Sequence, residues 1–237
     1  MEKQYAAKVF TGAAGKTLSY RELSPANPAK GERYPLVLVL HGSGERGNDN
    51  AAQLAYYGPA FAAPEAMAKH PCFVLAPQCP KDRRWVEVDW AAPAHALPQE
   101  PSDPLGLALE LVDQAMKTLP VDPDRIYITG ISMGGFGTWD AICRRPGFFA
   151  AAIPICGGGD LNQAPKLTAQ PIWAFHGADD PVVQPARTTG MVAAIEKAGG
   201  HPKMTIYPGV KHDSWVKALK DPEFLAWLFG QKRGAGK

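Results

Sequence analysis

Residues 125–145, RIYITGISMGGFGTWDAICRR, pass from a β-branched and aromatic run into a helical one through one serine set among glycines. Arg125 to Thr129 read as a buried strand, and Met133 to Arg145 as a helix. Between them Gly130-Ile131-Ser132-Met133-Gly134 matches GxSxG, directly after the strand and directly before the helix. A turn tight enough to expose a serine oxygen there leaves no space for side chains at Gly130 and Gly134. Ser132 then stands at a helix N-terminus, where the Met133 amide and the helix dipole stabilise negative charge on a substrate oxygen. The motif therefore makes Ser132 a candidate nucleophile; the alternative is a glycine-rich turn that merely packs.

Outward from this segment, strands and helices alternate. PLVLVL (35–40) is a continuous apolar run, the mark of a strand covered on both faces. Similar runs recur at 72–77, 151–156, 171–176 and 203–208, and the alternating segments 4–11 and 17–23, separated by GAAGK, read as an opening hairpin. Helical segments are expected at 59–69, 103–118, 133–145, 186–198 and 222–231. The one at 103–118 takes Ser102 or Asp103 as N-cap, and the one at 186–198 stops at Gly199-Gly200, with Pro202 barring its continuation. Alternation of this kind calls for right-handed crossovers, hence an α/β fold with a mostly parallel, eight-stranded sheet and helices on both faces. Pro77, Pro80, Pro93, Pro98, Pro101 and Pro104 exclude regular structure between them. The 237 residues are expected to form one domain, 1–237, with 78–104 as a cap or specificity loop. Trp85, Trp90, Glu87 and Asp89 give that loop side chains to wall a pocket; the alternative is a surface excursion whose tryptophans tuck onto the core.

Bulk properties narrow the function classes. Apolar residues make up 46% and charged residues 20%, enough to bury a core without a metal or disulfide staple. A net charge of +2, with one short basic cluster at Lys232, Arg233 and Lys237, gives nucleic-acid binding no support. No apolar run reaches the 18 or so residues that span a bilayer, so a soluble protein is expected, cytoplasmic as written or secreted if an export signal has been removed. Cys72, Cys79, Cys143 and Cys156 are too sparse for a disulfide scaffold and read as free. No HExxH, closely spaced His pair on a helix, Walker A or GxGxxG occurs, so no metal or cofactor is implied.

A serine nucleophile needs oxyanion donors, a base and an acid. His41-Gly42-Ser43-Gly44 follows the central strand, and its Ser43 amide, or alternatively that of Gly44, is the expected second donor beside Met133. His41 ends a strand before the nucleophile and is expected to brace the loop by hydrogen bonding. The run Glu45, Arg46, Asn48, Asp49 and Asn50 ties that loop together, the alternative being substrate binding. Of the histidines after Ser132, His176 ends a strand and His201 lies at the sheet edge opposite the serine. His212, in YPGVKHDSW after the last strand, is at the serine's end and is the expected base. HGADDPVV offers Asp179 and Asp180; adjacent carboxylates point differently, and Asp180 before Pro181 is chosen, with Asp160 in CGGGD as a weaker candidate.

Taken in order, HGSGERGNDN, VDPDRIYITGISMGGFGTW, PICGGGD, WAFHGADDPVV and YPGVKHDSW resemble the single-domain esterase branch of the α/β-hydrolases. That branch groups feruloyl and acetyl esterases, polyhydroxybutyrate-depolymerase-like enzymes and prolyl-oligopeptidase-like peptidases. The likeness spans nearly the whole chain. It implies an α/β-hydrolase fold in which the aspartate of HGxxDxxV, here Asp180, is the triad acid and the histidine of the GxxHxxW-like segment, here His212, the base. The expectation is a serine carboxylesterase acting through Ser132, Asp180 and His212 on small-molecule esters with short or aromatic acyl groups, with Gly44, Trp85 and Trp90 touching the substrate. The alternatives are a serine peptidase and a hydrolase fold used only for binding.

Overall fold

The computed structural model describes residues 2–26 and 28–234; Lys237 of the basic tail lies outside them. Runs that alternate or stay apolar become strands because β-branched and aromatic side chains fit a pleated surface. The eight are β1 (Tyr5–Thr11), β2 (Thr17–Leu23), β3 (Tyr34–Leu40), β4 (Phe73–Pro77), β5 (Val121–Ile131), β6 (Ala151–Ile155), β7 (Trp173–Gly177) and β8 (Lys203–Tyr207). They form one sheet in the order β1-β2-β4-β3-β5-β6-β7-β8. Among the described residues only the β1/β2 and β2/β4 pairings are antiparallel. From β4 onward every pair is parallel.

Period two along β3 shows why that strand reads as unbroken apolar sequence. Leu36, Leu38 and Leu40 enter one core cluster with residues of the helices α3 (Asp103–Thr118), α4 (Met133–Arg144) and α5 (Ala186–Lys197). Val37 and Val39 enter the cluster on the other face, with α1 (Tyr57–Ala62) and α7 (Phe224–Gly230). Helices thus cover both faces, as expected for an α/β sheet.

Some boundaries differ from the sequence reading. The helix expected at 59–69 is two, α1 and α2 (Pro64–Lys69), because Ala63 precedes a proline and takes an extended ψ of 135°. β5 begins four residues earlier than expected, at Val121, and a short helix α6 (Trp215–Ala218) follows the last strand. Ser102 is the N-cap of α3, its Oγ accepting from the Leu105 N–H at 3.3 Å. Residues 78–102 contain no helix or strand. Among the described residues no helix is long and apolar enough to cross a membrane.

Candidate active site

The C-terminal ends of β5, β6 and β7 and the loop after β8 converge on one rim of the sheet. At the end of β5 the backbone of Ser132 takes φ 52° and ψ −115°, a conformation that costs a side-chain-bearing residue of order 1–3 kcal/mol and must be held by its surroundings. It is held on both sides. The Ser132 N–H donates to Ile155 O at 2.9 Å, and its carbonyl caps α4 by accepting from Phe136 N–H at 3.1 Å. A Cβ at Gly130 would come within 2.1 Å of Gly134 O, and one at Gly134 within 1.9 Å of Leu40 O. Backbone sits where those side chains would go, which is why glycine stands at both positions.

Ser132 Oγ lies 2.8 Å from His212 Nε2, and His212 Nδ1 lies 2.7 Å from Asp180 Oδ2. Asp180 Oδ1 accepts from the N–H groups of Val182 and Val183 at 2.8 and 3.0 Å. Burial alone would raise the Asp180 pKa; hydrogen bonds from His176, His212 and the two amides outweigh it and hold the carboxyl well below the usual carboxylate range. An ionised carboxylate can only accept, so His212 Nδ1 carries the hydrogen, and in the neutral imidazole Nε2 accepts from the Ser132 hydroxyl. Met133 is the first residue of α4 and Ser43 the first of a 3-10 turn at Ser43–Glu45, so neither N–H has an acceptor within its own helix.

The remaining candidates have other tasks. His41 is buried; its Nδ1–H donates to Gly42 O at 2.6 Å and its Nε2 accepts from Cys79 N–H at 2.9 Å, so it ties the 41–45 loop to the strap at 78–102. Arg46, Asp49 and Asn50 likewise bond to backbone and to Gln78, holding that loop. Asp179 is exposed, with its N–H on Val210 O. Asp160 caps a 3-10 turn at Leu161–Leu167 and accepts from Leu97 N–H. His176 is buried and bonded to Thr188 and Val183, and His201 is exposed before β8.

The expected role of Trp85 as a pocket wall is corrected. Its side chain is 0% exposed and its indole N–H donates to His41 O at 3.0 Å, so it supports the strap from beneath, where a ligand cannot touch it. Trp90 is half-buried under the Arg84 guanidinium, 4.3 Å from its ring. Gly44 is exposed, and a Cβ there would meet nothing within 4 Å. Trp215, which closes the GxxHxxW-like segment, has no role assigned by the sequence pattern. Its ring meets His212 edge to face at 5.5 Å and Tyr56 at 5.4 Å, beside a groove of about 660 Å³ lined by Pro181, Val210, His212, Trp215 and Val216. The one sequence hint was an aromatic three residues after the candidate base.

Cys156, Asp180 and His212 bring potential ligand atoms within 4.8 Å of one another, a spacing that would suit a metal ion. Their donors are already committed: the carboxylate to its hydrogen bonds and the imidazole to Asp180 and Ser132, while burial pushes the Cys156 thiol up to about 12, so it stays protonated. The cluster is a hydrogen-bonded chain that runs from the serine through the imidazole to the carboxylate.

Comparison with known proteins agrees with the architecture. A family model described as phospholipase/carboxylesterase matches residues 25–226. The crystal structure of a thermostable esterase superimposes with a TM-score of 0.91 at 38% identity, covering 98% of this chain and 64% of that one. A protein of Nocardia uniformis subsp. tsuyamanensis named as an esterase, NocK, is 28% identical over 179 residues, 71% of this chain and 47% of its own length. One of Oryza sativa subsp. japonica named as a carboxylesterase is 27% identical over 213 residues, 82% of this chain and 87% of its own. The chain therefore spans about half of the Nocardia relative and most of the rice one.

Proposed function

The chain belongs to the phospholipase/carboxylesterase family of α/β-hydrolases, and from that premise we propose that it is a serine carboxylesterase working through Ser132, His212 and Asp180. The observation that carries this reading is the unbroken path from Ser132 Oγ through both nitrogens of His212 to Asp180, 2.8 and 2.7 Å long, behind a serine held in a strained turn. His212 Nε2 takes the proton as Ser132 Oγ attacks the ester carbonyl. The charge that develops on the carbonyl oxygen is met by the amides of Met133 and of Ser43, or of Gly44 in place of Ser43. Each such donor is worth about a hundredfold or more in rate. His212 then hands its proton to the leaving alcohol, an acyl-Ser132 remains, and water activated by the same imidazole releases the acid. Asp180 keeps the imidazole in the right tautomer and balances its charge when protonated.

The substrates are small-molecule esters with short or aromatic acyl groups. Gly44 and Trp90 touch them from the strap side, and the chain acts as one catalytic domain with 78–104 as its specificity loop. The groove beside Trp215 opens at His212, the group that protonates the departing alcohol, and so suits the alcohol portion. A fluorophosphonate probe should label the wild type and leave Ser132→Ala unlabelled, with kcat on p-nitrophenyl acetate falling about 10⁶-fold in that variant. Turnover of chromogenic peptides without turnover of any p-nitrophenyl ester would make the protein a peptidase instead.

A further inference from the structure

One fully buried imidazole has no part in the steps above. His176 sits in β7, four residues before Asp180, and its Nε2 lies 2.9 Å from Val183 O and 3.2 Å from Asp180 Oδ2. Both neighbours are oxygens without a proton to give, since one is a carbonyl and the other an ionised carboxylate. Nε2 must therefore carry the hydrogen, which points at the Val183 carbonyl with the carboxylate beside it. On the far side of the ring Nδ1 meets Thr188 Oγ1 at 2.7 Å, and that hydroxyl lies 2.9 Å from Gly157 O. One side chain thus joins β7, the turn that carries Asp180, the first turn of α5 and the loop after β6.

Oxygen by oxygen, the acid is held from four directions. Oδ1 has the amides of Val182 and Val183; Oδ2 has His212 on one side and His176 on the other. Val183 takes part twice, giving its N–H to Oδ1 and receiving the His176 N–H on its carbonyl. Without His176 the turn would keep its link to the carboxylate and lose its link to the sheet, and Oδ2 would be free to rotate away from His212. Displacements of about 1 Å in a catalytic array can cost about a hundredfold in rate.

We propose that His176 is a positioning residue of the hydrolytic site, which through its Nε2–H fixes the 180–183 turn and aims Asp180 Oδ2 at His212. The inference rests on reading Ser132, His212 and Asp180 as the catalytic set. Its effect falls on kcat, because the imidazole touches no substrate. The hydrogen bonds that hold the Asp180 carboxyl low against the opposing effect of burial include the one from His176, in keeping with this role.

The test compares His176→Leu, which removes the donor, with His176→Gln, whose amide N–H can approach the Nε2 position. Turnover is expressed per serine titrated by a fluorophosphonate, so that unfolded protein does not count. His176→Leu should lower kcat on p-nitrophenyl acetate about 10- to 100-fold with KM changed less than about twofold, and His176→Gln should regain part of the loss. Unchanged kcat per titrated serine in His176→Leu, or no recovery in His176→Gln, overturns the proposal. Should His176→Leu fail to fold, long-range proton–nitrogen spectra of the wild type decide. A protonated His176 Nε2 supports the proposal and a bare one refutes it. Labelling that persists in Ser132→Ala would strike the catalytic reading itself. Labelling that depends on Ser132, with His176 variants of undiminished kcat, would strike this inference alone.

Discussion

His41 and His212 are both histidines on loops beside the same serine, yet their rings are used in opposite ways. His212 keeps Nε2 against a hydroxyl that can give up a proton, whereas both nitrogens of His41 are engaged with main chain and its ring lies edge-on to Trp85 at 5.2 Å. Burial pushes the His41 pKa down to about 4 from 6.5, because a protonated ring would lose the bond it accepts from Cys79 and carry a charge into the core. The folded value lies below the unfolded one, so the stability His41 contributes is complete above pH 6.5 and is lost as pH falls toward 4. Unfolding free energy measured by urea titration should drop by of order 3 kcal/mol across that window from this group, and the drop should shrink in His41→Gln. An equal slope in the two proteins would show that His41 does not titrate with folding.

At the scale of elements, the strap at 78–102 shows how a segment without helix or strand can still be ordered. Side chains from the sheet side reach it: Arg187 donates to the Ala92 carbonyl and meets the His95 ring, Asp160 accepts from the Leu97 N–H, and Arg144 donates to the Pro98 and Gln99 carbonyls. Trp85 anchors its beginning and Ser102 its end, the latter as the cap of α3 and a donor to Trp85 O at 2.8 Å. Asp160→Ala strands the Leu97 and Asn162 amides that it now satisfies. The strap should lose about 1–3 kcal/mol of local stability, seen as faster hydrogen exchange at Leu97 with little change at the amides of β3 and β5. Unaltered exchange at Leu97 would mean that the arginines alone hold the strap. Proline spacing made the lack of regular structure legible, but nothing local told that Trp85 faces inward, because that depends on Gly137 and His41 leaving room for its ring.

Across the whole molecule, two apolar layers enclose the sheet, and all four cysteines lie inside them as free thiols. Burial raises each to about 12. The native protein should therefore resist a thiol reagent at neutral pH and yield four equivalents in denaturant, and rapid reaction of any one without denaturant would refute its burial. The same two-layer packing separates what was readable in the chain from what was not. The strand, the glycine-flanked serine and the helix after it are neighbours in sequence, and so are the apolar runs that make eight strands; such patterns act through local sterics and side-chain period, and the sequence by itself determined them. Which side chains meet is another matter. Ser132 and His212 are 80 residues apart, and Asp180 lies 32 before His212. That Asp180 turns inward while Asp179 faces solvent, that His176 stands against the acid, and that Trp215, with Trp85 enclosed, borders the groove were decided only by the tertiary structure. Each depends on how separate strands and loops stack, and no short stretch of sequence encodes the distance between them.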